Sequence, residues 1–266
     1  MPSHRIKPDT RVRLAEFDAA DTGHFTDRAA AESALAADVC RLDLLQNKLY
    51  AENTRALLVV LQGMDTGGKD GTIKHVMSGV NPIGCQVASF KVPSEEEADH
   101  DFLWRAYKAL PRRGNIGIFN RSHYEDVLVV RVHKYVPPEE WRQRFDQINR
   151  FEALVSDLGT RVIKFFLHID RDEQTRRLQA RLDDREKTWK FSPADLAERK
   201  FWDEYETAYE DVLSKTSTEA APWYVVPANK KWYRNLVVAK TIAATLEEMD
   251  PRPPKPAFDP STIRLD

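Results

Sequence analysis

At 266 residues, with 42% hydrophobic and 31% charged side chains, the chain can bury a substantial core as one large domain, and nothing in it suggests an array of small modules. Forty Lys and Arg against 42 Asp and Glu leave a formal charge of −2. That excludes a global basic field, so any polyanion must be gripped by local cation clusters, and a nucleic-acid binder is not expected.

In chain order, residues 1–25 are polar and aperiodic and are expected as an arm lying over the body, a single domain at 26–250. From Thr26 onward, Leu35, Val39, Leu42, Leu45 and Leu49 step by three and four, which marks a helix with one apolar stripe. Cys40 lies in that helix and Cys85 near a strand. Neither has CxxC spacing, and both read as small buried hydrophobes in a reduced compartment. With no apolar run near 18 residues and no charged-then-apolar leader, neither a membrane span nor a secretory signal is expected, and the expected location is the cytoplasm.

RALLVVLQ (55–62) is a short apolar run, as in a strand buried on both faces of a parallel sheet, and it leads into GMDTGGKDGT (63–72). Gly63, Gly68 and Lys69 match the phosphate-binding pattern GxxxxGK, but Asp70 stands where Ser or Thr is usual, and Asp65 lies inside the loop. A strand, a glycine turn and a helix start aim several backbone N–H groups at one point, where the helix dipole adds about half a positive charge. Phosphate is the natural occupant, and Lys69 would reach across it. Asp65 and Asp70 would repel a bare phosphate, because two unit charges about 4 Å apart interact by about 4 kcal/mol at an effective dielectric of about 20. A divalent cation resolves that conflict. For Asp70 a helix-start carboxylate is an equal reading. The helix itself is expected from Asp70 to Gly79.

Further strands are expected at 86–92, 115–120, 161–169 and 223–228, with helical stripes Leu103, Tyr107, Leu110 and Trp141, Phe145, Ile148, Val155, Leu158 between them. Alternating strands and helices imply an α/β sandwich around a mainly parallel five-stranded sheet, with ligands beyond the strands' carboxyl ends, where Gly63 and Asn120 open onto one crevice. FNRSHYEDVLVVRVH (119–133) carries Asn120 where nucleotide kinases often place a metal-binding Asp, then Arg121, suited to a bidentate grip on phosphate, and the acids Glu125 and Asp126. His123 has no obvious partner and reads as packing. Residues 181–217 are expected as a helical lid that starts a helix at Ser192-Pro193. Arg177, Arg181, Arg185, Lys187 and Lys190 gather there and are joined by Lys230, Lys231 and Arg234; alone they fit a solvated helix face, but beside a P-loop they suit a phosphoryl group. The proline-rich end, 251–266, is expected as an extended tail.

Taken together, LLVVLQGMDTGGKDGTIKHV, IGIFNRSHYEDVLVVRVH and KTWKFSPADLAERKFWDEYETAYEDVLSKTSTEAAPWYVVPANKKWYRN resemble the polyphosphate kinase 2 family, over nearly the whole chain from about Leu35 to Leu246. The resemblance implies a three-layer P-loop kinase-like fold similar to thymidylate kinase. It also implies phosphoryl transfer between inorganic polyphosphate and nucleotides with Mg²⁺ or Mn²⁺, in the branch acting on both AMP and ADP. The nucleotides are adenine ones, with guanine a second base to consider. The family's loop falls on Asp65, Gly67, Gly68, Lys69 and Asp70, its strand-end motif on Asn120, Arg121 and Ser122, and its lid cations on Arg181, Lys187 and Lys190. Much of the family has Asp at position 120.

The expected catalytic set is Asp65, Lys69, Arg121 and Arg181, and the expected metal ligands are Asp65 with Asp126 or Glu125. Asp65, Asn120, Arg121, Ser122, Glu125 and Asp126 are expected around the nucleotide. Phosphates are expected against Gly67, Gly68, Lys69, Asp70, Gly71, Lys74, Arg121, Arg131, Lys187, Lys190, Lys230, Lys231 and Arg234. The exposed ends of such a sheet and the apolar first helix favour a homodimer or homotetramer. An ATP-dependent nucleotide or nucleoside kinase is the competing enzyme, and a nucleotide-dependent regulatory protein the non-enzymatic alternative.

Overall fold

A computed structural model describes residues 4–264, the side chains of Lys190 and Ser261 excepted. The elements run α1 (Arg28–Glu52), β1 (Ala56–Gln62), α2 (Lys69–Val76), β2 (Cys85–Ser89), α3 (Glu95–Ala98), α4 (Trp104–Lys108), β3 (Ile116–Asn120), α5 (Val129–Val132), α6 (Pro138–Asp157), β4 (Thr160–His168), α7 (Arg171–Asp183), α8 (Pro193–Glu198), α9 (Trp202–Thr216), β5 (Trp223–Pro227) and α10 (Lys231–Met249). All five expected strands form. Every residue of β1 is buried, because its run of apolar side chains feeds helical layers on both faces.

The sheet is parallel throughout, in the order β2-β3-β1-β4-β5, with Leu61 opposite Asn120 and Gln62 opposite Phe166. From β1 the chain crosses over to β2 on one side, and from β3 it crosses β1 to reach β4. The direction therefore reverses between β1 and β3, and a crevice opens there beyond their carboxyl ends. Helix α1 packs along α10, which also meets α2; on the other side α6 packs on β4 and against α9. This is a three-layer α/β sandwich. The described N-terminal residues cover the β5 edge: Ile6 donates to the Trp223 carbonyl and Val225 to that of His4, while Ile6, Val12 and Leu14 are buried. That pairing removes a free strand edge. No helix among the described residues is long and apolar enough to cross a membrane.

Several local expectations change. The segment expected as a lid divides in two: Trp202, Ala208, Tyr209, Val212 and Leu213 put one face of α9 in the core, so only the stretch before it, α8 included, projects over the crevice. The helical spacing of Tyr205, Ala208 and Val212 belongs to this body helix and not to a lid. Helix α2 ends at Val76, short of Gly79. On α4 the buried face is Arg105 and Ala106, with Tyr107 exposed; Leu158 lies past the end of α6 and is also exposed. Cys40 faces solvent, and Cys85 is only half-buried on the edge strand.

Candidate active site

The P-loop is shaped by cations that hold its carbonyls. Lys69, itself buried, donates from Nζ to the carbonyls of Gly63 (2.8 Å) and Met64 (3.4 Å). Arg177 on α7 donates to those of Thr66 (2.8 Å) and Gly67 (3.1 Å), and to Ala228 beyond β5; Gln174 takes that of Asp65. Arg234 on α10 reaches Gly67 at 3.3 Å. Gly68, at φ +96°, precedes α2 with no side-chain cap, and a Cβ there would stand 1.9 Å from Arg234 Nη1. Only glycine allows both that backbone and that approach. The first N–H groups of α2 lack intrahelical partners, which makes this end of the helix receptive to an anion.

Charge is poorly balanced here. Arg177 has Glu173 at 2.7 Å. Among the described residues, neither Lys69 nor Arg234 has a carboxylate within ion-pair distance. Burial, with Arg121 nearby, brings the Lys69 ammonium down to about 8 despite Asp65, Glu125 and Asp70. Burial and Arg177 push Arg234 down to about 9, and burial with Arg177 and Arg234 lowers Lys231. A guanidinium keeps its proton at working pH, so Arg234 is a buried positive charge beside a second one, Arg177. An anion would relieve it.

Beyond β3, the polar residues of NRSHYED are each held by a side chain from elsewhere in the fold or from within the run. Asn120 Nδ2 donates to Asp70 Oδ1 at 2.7 Å. Arg121, at φ +61°, donates to Asp65 Oδ1 at 2.6 Å and Glu125 Oε2 at 3.2 Å. A left-handed arginine is strained by roughly 1–3 kcal/mol, and such strain concentrates at functional sites. Ser122 is fully buried, capping the turn His123–Asp126 and receiving Gln62, and it does not line the cleft or the smaller cavity. His123 is not unpartnered, as the sequence suggested: its Nε2 lies 3.2 Å from Glu152, 29 residues away on α6. Glu125 spends both oxygens on Arg121 and Gln62. Asp126 is ion-paired to Arg105 and Arg144, each at 3.3 Å. With two guanidiniums on it, Asp126 does not fit the expected metal role.

A cleft of about 1580 Å³ runs along these groups, lined by Asp65, Gly68, Lys69, Asp70, Gly71, Asn120, Arg121, Arg177, Arg181, Lys187, Lys230, Lys231 and Arg234. It meets a smaller cavity of about 290 Å³ at Asp65, Arg121 and Glu125. Aromatic and apolar side chains line the smaller space: Val92, Leu128, Val129, His133, Tyr135, Trp202, Tyr205 and Tyr209. The lid segment closes over the junction. Arg181 binds Asp195 at 3.3 Å, and burial raises Asp195, with the Asp65 charge adding to the effect.

The sequence profile of the family described as Polyphosphate kinase 2 matches residues 25–254. The chain belongs to the polyphosphate kinase 2 family. It is similar to an AMP/ADP-polyphosphate phosphotransferase of Meiothermus ruber, 53% identical over 96% of each chain, and to an ADP-polyphosphate phosphotransferase of Rhodopseudomonas palustris, 47% identical over 92% of this chain and 89% of that one. Its fold is similar to the crystal structure of polyphosphate kinase 2 from Arthrobacter aurescens TC1, with a TM-score of 0.93 and 45% identity over 97% of this chain and 92% of that one.

In this polyphosphate kinase 2 chain, most of the phosphate-site expectations converge on the cleft, while others leave it. Lys74 is exposed on α2 outside the lining. Arg131 binds Asp211 at 2.7 Å and covers the Trp141 ring. The Lys190 side chain lies outside the described residues. Lys187 pairs with Asp184 on the lid and still lines the cleft. Sequence reading missed Gln174, the loop-clamping role of Arg177 and the aromatic cavity. The Glu173–Arg177 spacing of four is that of an ordinary helix-surface pair and does not by itself signal a buried clamp.

Proposed function

We propose that this polyphosphate kinase 2 transfers phosphoryl groups between inorganic polyphosphate and AMP or ADP. The observation that carries this is the surplus of buried cations, Lys69 and Arg234 above all, under a long open cleft that meets a compact aromatic cavity at Arg121 and Asp65. An extended polyanion suits the cleft, and a nucleoside suits the cavity. The names of the two relatives, which act on ADP and on AMP and ADP, support the same assignment.

In this reading the P-loop N–H groups and Lys69 hold the phosphates, while Arg121 and Arg181 face the charge spread over the moving group. Positioning and electrostatics dominate such chemistry. A nucleotide phosphate oxygen is already a competent nucleophile, so no dedicated base is invoked. Asp65 Oδ1 is taken by Arg121 and Asp70 Oδ1 by Asn120, which leaves one further oxygen on each of these cleft-lining carboxylates. No group of three or more His, Cys, Asp or Glu placed to hold a metal occurs among the described residues. One or two carboxylates fit Mg²⁺ or Mn²⁺, which keep waters and take phosphate oxygens. Asp65 and Asp70 would hold the ion, and it would neutralise phosphate charge as a Lewis acid.

Incubation with polyphosphate, Mg²⁺ and either AMP or ADP, without any nucleoside triphosphate, should yield ADP or ATP. Lys69→Ala should lower turnover by about 10³-fold with the melting curve intact. Product formation only when ATP is the donor would establish the competing kinase instead.

A further inference from the structure

The smaller cavity holds a carboxylate for which phosphate transfer has no use. Glu198, at the end of α8, lines it with a carboxylate pinned on one side: Oε2 lies 3.0 Å from His133 Nε2 and accepts from the Tyr205 hydroxyl at 2.9 Å. Oε1 has no hydrogen-bond partner among the described residues. The donors are themselves held. The His133 ring stacks with Tyr135, 18° apart, and meets Phe201 edge-on at 5.0 Å. A carboxylate fixed through one oxygen, with its side chain 35% exposed, offers the other to a ligand in a set orientation.

Helix α9 gives the cavity its direction. Tyr209 borders the phosphate junction, where burial and the Glu125 carboxylate raise its phenol. Tyr205 stands one turn away, about 6 Å at 1.5 Å per residue, beside Glu198. At the mouth, Val92 is 91% exposed and Tyr135, with His133 stacked on one face of its ring, is 69% exposed.

The geometry points to Glu198 as the residue that selects the base: its Oε1 accepts the 6-amino group of an adenine whose ring lies against Tyr135 and Val92. His133 and Tyr205 are positioning residues. This rests on the cavity taking the acceptor's nucleoside. One available oxygen matches adenine's single exocyclic amine. The adjacent N1–H and N2–H donors of guanine call for two acceptors side by side, and the 6-carbonyl of hypoxanthine would set oxygen against carboxylate.

The test is kcat/KM with polyphosphate for ADP, IDP and GDP, in the wild type, Glu198→Gln and Tyr205→Phe, with calorimetric binding of ADP and IDP alongside. The wild type should prefer ADP over IDP by at least about tenfold. Glu198→Gln, whose amide can donate to the 6-carbonyl, should bring the two within about threefold or reverse them. Tyr205→Phe should lower the use of ADP without raising that of IDP, and it carries the test if Glu198→Gln does not fold. A wild type that accepts IDP or GDP as readily as ADP, or an unchanged ADP-to-IDP ratio in folded Glu198→Gln, overturns the inference. Absence of any transfer from polyphosphate would overturn the functional reading instead, and the binding ratios would still decide the role of Glu198.

Discussion

At the centre of the sandwich, Lys164 on β4 sends all three N–H bonds to protein: the Tyr124 hydroxyl, Glu152 Oε2 and the Thr216 carbonyl. It is fully buried, and the rings of Tyr124 and Trp223 each lie 5.2 Å from it. Glu152 completes the set by accepting from Tyr124. Under the P-loop, Lys69 and Arg234 are buried as well, yet they reach only carbonyls and an amide. The same kinds of residue thus form a closed unit in one place and an open one in the other. A buried charge needs a counter-charge. In the core the chain supplies it, and in the cleft the site is left for a substrate to complete.

Breaking the closed unit should have the largest effect. Lys164→Ala takes the ammonium from the buried Glu152, leaving it only His123 and the Tyr124 hydroxyl, and should destabilise the fold by about 3–5 kcal/mol, read from denaturant midpoints. Polyphosphate should not single this variant out for rescue, since it touches no part of the cleft. Burial alone would raise the Glu152 carboxyl, but Lys164 and His123 outweigh it and hold it below its ordinary 4.5. A depressed folded-state pKa stabilises the protein above the unfolded value and ceases to as the pH falls through the folded one. The wild type should therefore lose this contribution below about pH 4.5, and Glu152→Gln should flatten that part of the acid profile.

The open unit predicts the converse. Removing an uncompensated buried cation should cost little in the free protein, so Arg234→Met should melt within about 1 kcal/mol of the wild type. Polyphosphate at 100 times its dissociation constant should stabilise the wild type by about 2.7 kcal/mol. Arg234→Met should lose most of that protection at the same concentration. If it melts far below the wild type without ligand, Arg234 belongs with the structural cations and the contrast fails.

The same contrast explains what could be read from sequence. The buried strands were legible because parallel strands covered on both faces are largely apolar, as in ALLVVLQ, whereas β2 on the edge is half-exposed. The P-loop was legible because its spacing carries its mechanism. What could not be read were partners fixed by tertiary approach: Glu152 for His123, Arg105 and Arg144 for Asp126, and Asn120 for Asp70, a pair 50 residues apart. In sequence, a carboxylate meant for a guanidinium looks the same as one meant for a metal. The extent of the lid was misjudged for a related reason: helical spacing locates a helix but does not say whether its apolar face meets the core or a ligand.

The two cysteines offer a smaller contrast, one on the edge strand β2 and one on helix α1. Burial pushes the Cys85 thiol on β2 up to about 11, which leaves about one molecule in a thousand as thiolate at pH 8. Cys40 stands in solvent on α1. Because the thiolate is the nucleophile, iodoacetamide at pH 8 should label Cys40 at least about tenfold faster than Cys85, as read by peptide mass spectrometry. Polyphosphate should leave the ratio unchanged, since neither thiol borders the cleft. Equal labelling would mean that the β2 edge opens in solution on the time scale of the reaction, and that the closed part of the molecule is smaller than its core suggests.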